Sequence, residues 1–164
     1  MIRAFAALKD KYAEYTLTIY GEGELHGYLE NLAGELGLSE RVFLPGVIPD
    51  VAARIERAAL FLLTSYSEGV SNALIEALAT GLPVISTDVP SGGTVELMRD
   101  KENGLIIPVG DQHALENAMD RLLGEPAYAD RLGREASKIQ ERLAPERVNR
   151  LWKSLFDGIM AAQK

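Results

Sequence analysis

Two carboxylates offer the clearest chemistry in this chain: Glu68 and Glu76, with seven residues between them and the polar pair Ser71-Asn72 marking a passage from loop to helix. Over residues 65–88 the sequence predicts a loop, a helix and a strand. Ser71 can cap a helix start, Gly81 can end it, and Pro83 opens a β-branched run. Between cap and glycine, Ala73, Leu74, Ile75, Ala77, Leu78 and Ala79 make the helix apolar on every side, which predicts burial all round. Glu76 is the one charge inside it, and a carboxylate so placed must be met by a ligand hydroxyl or a structural hydrogen bond. Glu68 lies in the loop before the helix, so both acids can border one pocket at the helix mouth. The free amides of Ser71, Asn72 and Ala73 open onto the same pocket, and unpaired N–H groups at a helix start favour phosphate. Phosphate at the amides and hydroxyls at the acids describe a nucleotide sugar.

The run Glu68-Gly-Val-Ser-Asn-Ala-Leu-Ile-Glu76, continued by Ala77-Leu-Ala-Thr-Gly-Leu-Pro-Val-Ile and then by Gly92-Gly-Thr-Val-Glu96, resembles the donor-binding half of the retaining group 1 glycosyltransferases with the GT-B fold. The resemblance runs from the first helix to about Pro108, with a compatible helical tail behind it. It implies an enzyme that transfers a hexose from a nucleotide diphosphate sugar to a glycan or lipid-linked acceptor with retention at the anomeric carbon, using no cofactor and no metal. By position it assigns Glu68 and the backbone of Gly69 and Val70 to the sugar, the amides of Ser71, Asn72 and Ala73 to a phosphate, Glu76 to the ribose and the backbone of Val47 to the base. Gly92, Gly93 and Glu96 would complete the donor site, although Glu96 reads equally well as a helix-start glutamate. No nucleophile stands among these groups, so positioning and stabilisation of the leaving diphosphate would carry the rate, with Glu68 at the reacting end.

The same resemblance implies what lies outside this chain. An acceptor-binding domain is expected to be absent, and so is the first strand of the donor domain with the Gly-Arg and Lys-Gly segment that follows it. Residues 1–164 then read as a single nucleotide-sugar donor-binding domain, inactive alone, with a helical tail over about 111–164. Loss of a central strand would leave unpaired sheet edges, closed by their neighbours, filled by another segment, or used for self-association.

Composition is compatible with this reading. A length of 164 residues with 47% hydrophobic content suits one domain with a sizeable core. A net charge of −7 argues against nucleic acid as a partner. With no cysteine there is neither a disulfide framework nor a thiolate metal site. No apolar run reaches the length of about eighteen residues that a membrane helix needs, and residues 1–10 carry no secretory core. The expected location is cytoplasmic, at the inner membrane face for a larger enzyme.

The elements that must position these groups alternate along the chain. An amphipathic helix is predicted over 2–15, a strand over 16–20, a tight turn at Gly21-Glu22-Gly23-Glu24, and a helix through Leu25, Leu29, Leu32 and Leu36 that ends near Gly37. A strand over 41–44, a loop over 45–49 and a helix from 50 to about 57 follow, then an apolar strand over 59–64 of the kind covered on both faces. Alternation of this kind predicts a Rossmann-like, doubly wound α/β domain, a parallel sheet with helices on both faces, and ligands bind such sheets past the carboxyl ends of the strands. Residues 45–47, 65–72 and 88–93 fall there. Asp88 reads as a capping or structural hydrogen-bonding group, and a helix over 95–99 and a strand over 105–109 follow it.

Three tail helices are predicted: from Asp111 to about 123, from Pro126 to about 143, and from Pro145 onward. The last repeats Val148, Leu151, Trp152, Leu155, Phe156, Ile159 and Met160 on one side. That stripe reads as core packing; the family resemblance offers an interdomain surface instead.

Competing readings are a glycoside hydrolase, a nucleotide-sugar binding module without catalysis, and a GT-B-type sugar epimerase. Hydrolase carboxyls stand about 5 Å or about 6.5–9.5 Å apart across one bond, a role ill suited to Glu76 a turn inside an anion-binding helix. No metal site is expected, since His26 and His113 are far apart and each lies on a helix surface.

Overall fold

The computed structural model describes residues 1–162. Five short strands alternate with helices: α1 (Ile2–Leu8), β1 (Leu17–Tyr20), α2 (His26–Glu35), β2 (Val42–Gly46), α3 (Val51–Ile55), β3 (Phe61–Leu63), α4 (Asn72–Thr80), β4 (Val84–Thr87), α5 (Gly93–Leu97) and β5 (Leu105–Ile107). Four further helices close the described chain: α6 (Gln112–Gly124), α7 (Pro126–Ser137), α8 (Ile139–Arg142) and α9 (Pro145–Ala162). All pairing is parallel, which requires the crossover helices the sequence supplies.

The strands form two sheets. β1 pairs with β2, Leu17 opposite Val42, with an irregularity between Thr18 and Tyr20. β3, β4 and β5 pair in that order, with Ile85 of the middle strand opposite both Leu62 and Leu105. Among the described residues β1 and β3 are not paired, so the expected unpaired edges are theirs and the neighbouring strands do not close the gap.

Packing nonetheless crosses that gap. One apolar cluster takes Leu17 and Val42 from the first sheet, Ile85, Leu105 and Ile107 from the second, Ile2, Ala4 and Phe5 from α1, and Leu115, Met119 and Leu122 from α6. The opposite face of the second sheet, Val84 with the half-buried Phe61, Leu63 and Ile106, packs on Leu74, Ala77 and Leu78 of α4, Ala136 of α7 and Ile139 of α8. Helices therefore cover both faces of the second sheet, the doubly wound arrangement read from the sequence. Tyr20 at the end of β1 and Val51 at the start of α3 join the second cluster, which brings the carboxyl end of the first sheet beside α4.

Several local expectations are corrected. α1 ends at Leu8, and residues 9–14 form turns, because the Arg41 guanidinium donates to the carbonyls of Lys9 (2.8 Å), Tyr12 (2.7 Å) and Tyr15 (2.7 Å) and lies over the Phe5 ring. Arg41 is thus a clamp, and its strand starts at Val42. β3 is half-buried along its length, since its edge towards β1 has no partner strand. The helix predicted from Pro126 to about 143 breaks into α7 and α8 where the Ser137 hydroxyl turns back to the Arg134 carbonyl.

α4 is not buried all round: Leu74, Ala77 and Leu78 are buried, while Asn72, Ala73, Glu76 and Thr80 form an exposed stripe. Its C-terminal cap is Gly81 at φ 78°, as the sequence predicts, and α7 seats against it so closely that a Cβ on Gly133 would stand 2.0 Å from the Gly81 carbonyl oxygen. The stripe on α9 is also not core: Leu151, Leu155, Ile159 and Met160 are exposed, and Trp152 and Phe156 stack on each other at 5.7 Å.

Candidate functional site

α4 fixes the centre of the site. Ser71 caps it, its hydroxyl accepting from the Leu74 amide at 3.3 Å, and the Ser71 carbonyl accepts from the Ile75 amide. Helical geometry leaves the amides of Asn72 and Ala73 without an intrahelical acceptor, and both residues are exposed. Glu76 lies one turn further on, on the same exposed stripe as Asn72. Exposure, rather than a partner inside the protein, is what satisfies this carboxylate.

The loop before α4 carries Glu68, which is half-buried; the Ser65 hydroxyl donates to its Oε1 at 2.7 Å. That bond orients the carboxylate and leaves its second oxygen for another donor. The loop after β4 meets this one directly. The Ser91 hydroxyl donates to the Glu68 carbonyl, and a Cβ on Gly93 would stand 1.8 Å from the carbonyl oxygen of Gly69 and 2.7 Å from its carbon. Only glycine permits that approach. Gly92, at φ 77°, turns the chain immediately before it.

Buried hydroxyls hold the two loops in this relation. Thr87 donates to the Ser65 carbonyl at 2.6 Å, tying the end of β4 to the end of β3. Thr94 donates to the Thr87 carbonyl at 2.8 Å, and its hydroxyl stands 3.3 Å from that of Ser86, tying the start of α5 back to β4. The sequence reading missed Ser65, Thr87, Ser91 and Thr94 as supports; hydroxyl residues at strand ends beside glycine loops were the available signal.

The structure thus joins the loop of Glu68 and Gly69 to that of Gly92 and Gly93, and the first of these runs directly into the α4 start at Ser71, Asn72 and Ala73, with Glu76 one turn along the same helix. Val70 belongs to the first loop and is 61% exposed. Val47 is exposed just after β2, next to a cavity of about 490 Å3 bordered by Glu22, Gly23, His26, Leu44, Pro45 and Gly46. The Gly21–Gly23 turn thus helps to frame a cavity.

Glu96 lies in α5, three residues after Gly93. It lines a second cavity of about 490 Å3 with Arg99, Glu102, Asn103, Glu135 and Arg142, and its carbonyl accepts from Arg142. Asp88 is exposed, and its amide donates to the Ile107 carbonyl at 2.8 Å, so its contribution is to extend the β4–β5 ladder. Among the described residues no group of three or more His, Asp or Glu side chains is arranged to hold a metal ion, and no helix is long and apolar enough to cross a membrane.

The family model described as glycosyl transferases group 1 matches residues 1–139. An exopolysaccharide phosphotransferase of Streptomyces coelicolor is 32% identical over 161 residues, 98% of this chain and 17% of the relative. The lipopolysaccharide core biosynthesis glycosyltransferase LpsE of Rhizobium meliloti is 33% identical over 132 residues, 80% of this chain and 37% of the relative. The chain thus spans well under half the length of these relatives. Among solved structures, Anabaena HepE in complex with UDP superposes with a TM-score of 0.84 at 21% identity, covering 96% of this chain and 44% of that one.

Proposed function

The chain belongs to the group 1 glycosyl transferases, and from that premise we propose that it holds a nucleotide diphosphate sugar and presents the sugar for transfer. The observation that carries this reading is the meeting of Gly69 and Gly93 at the start of α4. It gathers a half-buried carboxylate, two loops that meet at glycines and a helix start with free amides. The Anabaena neighbour, in complex with UDP, supports the ligand class.

In this reading the amides of Ser71, Asn72 and Ala73 hold a phosphate, where backbone dipoles and free N–H groups favour negative charge. Glu76, one turn along the exposed stripe, accepts from the ribose hydroxyls. The backbone beside Val47 meets the base. Glu68, oriented by Ser65, accepts from a sugar hydroxyl next to the backbone of Gly69 and Val70, while Gly92 and Gly93 let the chain approach the sugar closely, with Glu96 at the margin.

The reaction is transfer of a hexose to a glycan or lipid-linked acceptor. The bond from anomeric carbon to diphosphate oxygen breaks with its electron pair leaving on the diphosphate. The acceptor oxygen forms the new bond on the same face and passes its proton to the departing diphosphate, so configuration is retained. The helix start stabilises the departing charge, and no metal or other cofactor takes part. The acceptor is assigned to parts of a longer protein, and the setting to the cytoplasm, at the inner membrane face where the acceptor is lipid-linked. The names of the Streptomyces and Rhizobium relatives, both concerned with polysaccharide, support this acceptor class.

Titration calorimetry with UDP, GDP and ADP, with and without magnesium, tests the site. One of the three is expected to bind irrespective of metal. Glu76→Gln is expected to weaken that binding about ten-fold, the size of a lost charge-assisted hydrogen bond, without lowering the melting temperature. Unchanged affinity in the variant would remove the ribose role.

A further inference from the structure

We propose that Tyr66 is a stacking platform for the ring of the transferred sugar, an inference that rests on the donor-site reading above. Tyr66 is 77% exposed, the highest value among the exposed large hydrophobic side chains of the described residues. It occupies the loop between β3 and α4, two residues before Glu68. Its ring reaches towards the turn between β5 and α6: Cε1 lies 3.9 Å from the position a Cβ on Gly110 would take. Gly110 has φ 76° and no side chain, so nothing of that residue fills the space beside the ring. β4 lies between β3 and β5 in the sheet. The tyrosine therefore reaches from the loop after β3 to the loop after β5, across the carboxyl end of the strand between them, where a parallel sheet receives ligands.

The order of groups along the chain gives the platform its ligand. Glu76 is assigned to the ribose, the amides at residues 71–73 to a phosphate, and Glu68 to the sugar. Tyr66 comes two residues before Glu68, next in that order to the group assigned to the sugar. A pyranose has a hydroxyl rim and a face of C–H bonds; the rim suits a carboxylate and backbone amides, and the C–H face suits the electron-rich face of an aromatic ring. Tyr66 and Glu68 together offer both. Val70, exposed in the same loop, adds apolar surface beside them.

Calorimetry of this chain with UDP against UDP-glucose, GDP against GDP-mannose and ADP against ADP-glucose tests the inference in wild type, Tyr66→Ala and Tyr66→Phe. Tyr66→Ala is expected to weaken the sugar nucleotide about five-fold while the matching diphosphate changes by less than about two-fold, and Tyr66→Phe, which keeps the ring, is expected to match wild type. Equal changes for the diphosphate and its sugar nucleotide, or loss in Tyr66→Phe equal to that in Tyr66→Ala, would overturn the platform and leave the donor site standing. Failure of the wild-type chain to bind any of the six would overturn the donor-site reading and the platform with it.

Discussion

At Gly93 a single hydrogen atom decides whether the two loops of the site can meet. A methyl group there would enter the Gly69 carbonyl, which is backbone and has no rotamer through which to escape. Gly93→Ala is therefore expected to separate the loops, to destabilise the chain by about 1–3 kcal/mol as overpacking does, and to reduce nucleotide binding more than melting temperature. Circular dichroism melts and calorimetry on the same sample check this; a variant that binds as wild type does would show that the loops can part without consequence. The sequence marked Gly93 because glycines let a backbone come close to a neighbour and because the Gly92-Gly93 pair is part of the family resemblance. It could not supply the partner, since which carbonyl a glycine admits depends on loops far apart in the chain. Glu76 was legible for a reason that needed revision. It is the one charge in an apolar helix, but it is exposed, so no buried partner is required of the protein.

At the scale of elements, what was read best was what local chemistry decides. Ser71, Asp111 and Gly81 cap where their types predict, because a cap needs only neighbours within a few residues. What was read least well depends on distant partners: the end of α1, which Arg41 sets from the residue before β2, and the apolar faces of α4 and α9. The link between α1 and α6 belongs to the same class. Past the end of α1, Lys11 and the Tyr12 hydroxyl both meet Asp120 of α6, at 2.5 Å and 2.7 Å. Hydrogen bonds from Lys11 and Tyr12 hold the Asp120 carboxyl below its ordinary range, and Asp120 in turn raises Lys11. A carboxyl lowered on folding contributes stability above its unfolded pKa, about 3.9, and loses it as pH falls through the lower folded value. Asp120→Asn is expected to lower the melting temperature near neutral pH by about 1–4 °C, the modest size proper to an exposed pair, and the difference from wild type is expected to vanish in acid below the carboxylate range. A difference that stays constant from neutral pH into acid would exclude ionisation of Asp120 as its source.

Taken as a whole, the molecule is a packed α/β body with one helix whose apolar side faces outward. Because α9 leaves Leu151, Trp152, Leu155 and Phe156 exposed, removing residues 145–164 is expected to change the melting temperature by less than about 2 °C and to reduce binding of the dye anilinonaphthalene sulfonate. A large loss of stability would mean that the helix packs on the body after all. The body itself is continuous in its side chains and interrupted in its backbone. Leu17 and Val42 share a cluster with Ile85 and Leu105, yet no ladder runs from β1 to β3. Packing resists compression well and shear poorly, while a row of hydrogen bonds resists both. A load applied along β1 in one direction and along β3 in the other would therefore meet apolar contact and the Lys11–Asp120 link, and the two halves would slide past one another before either sheet came apart.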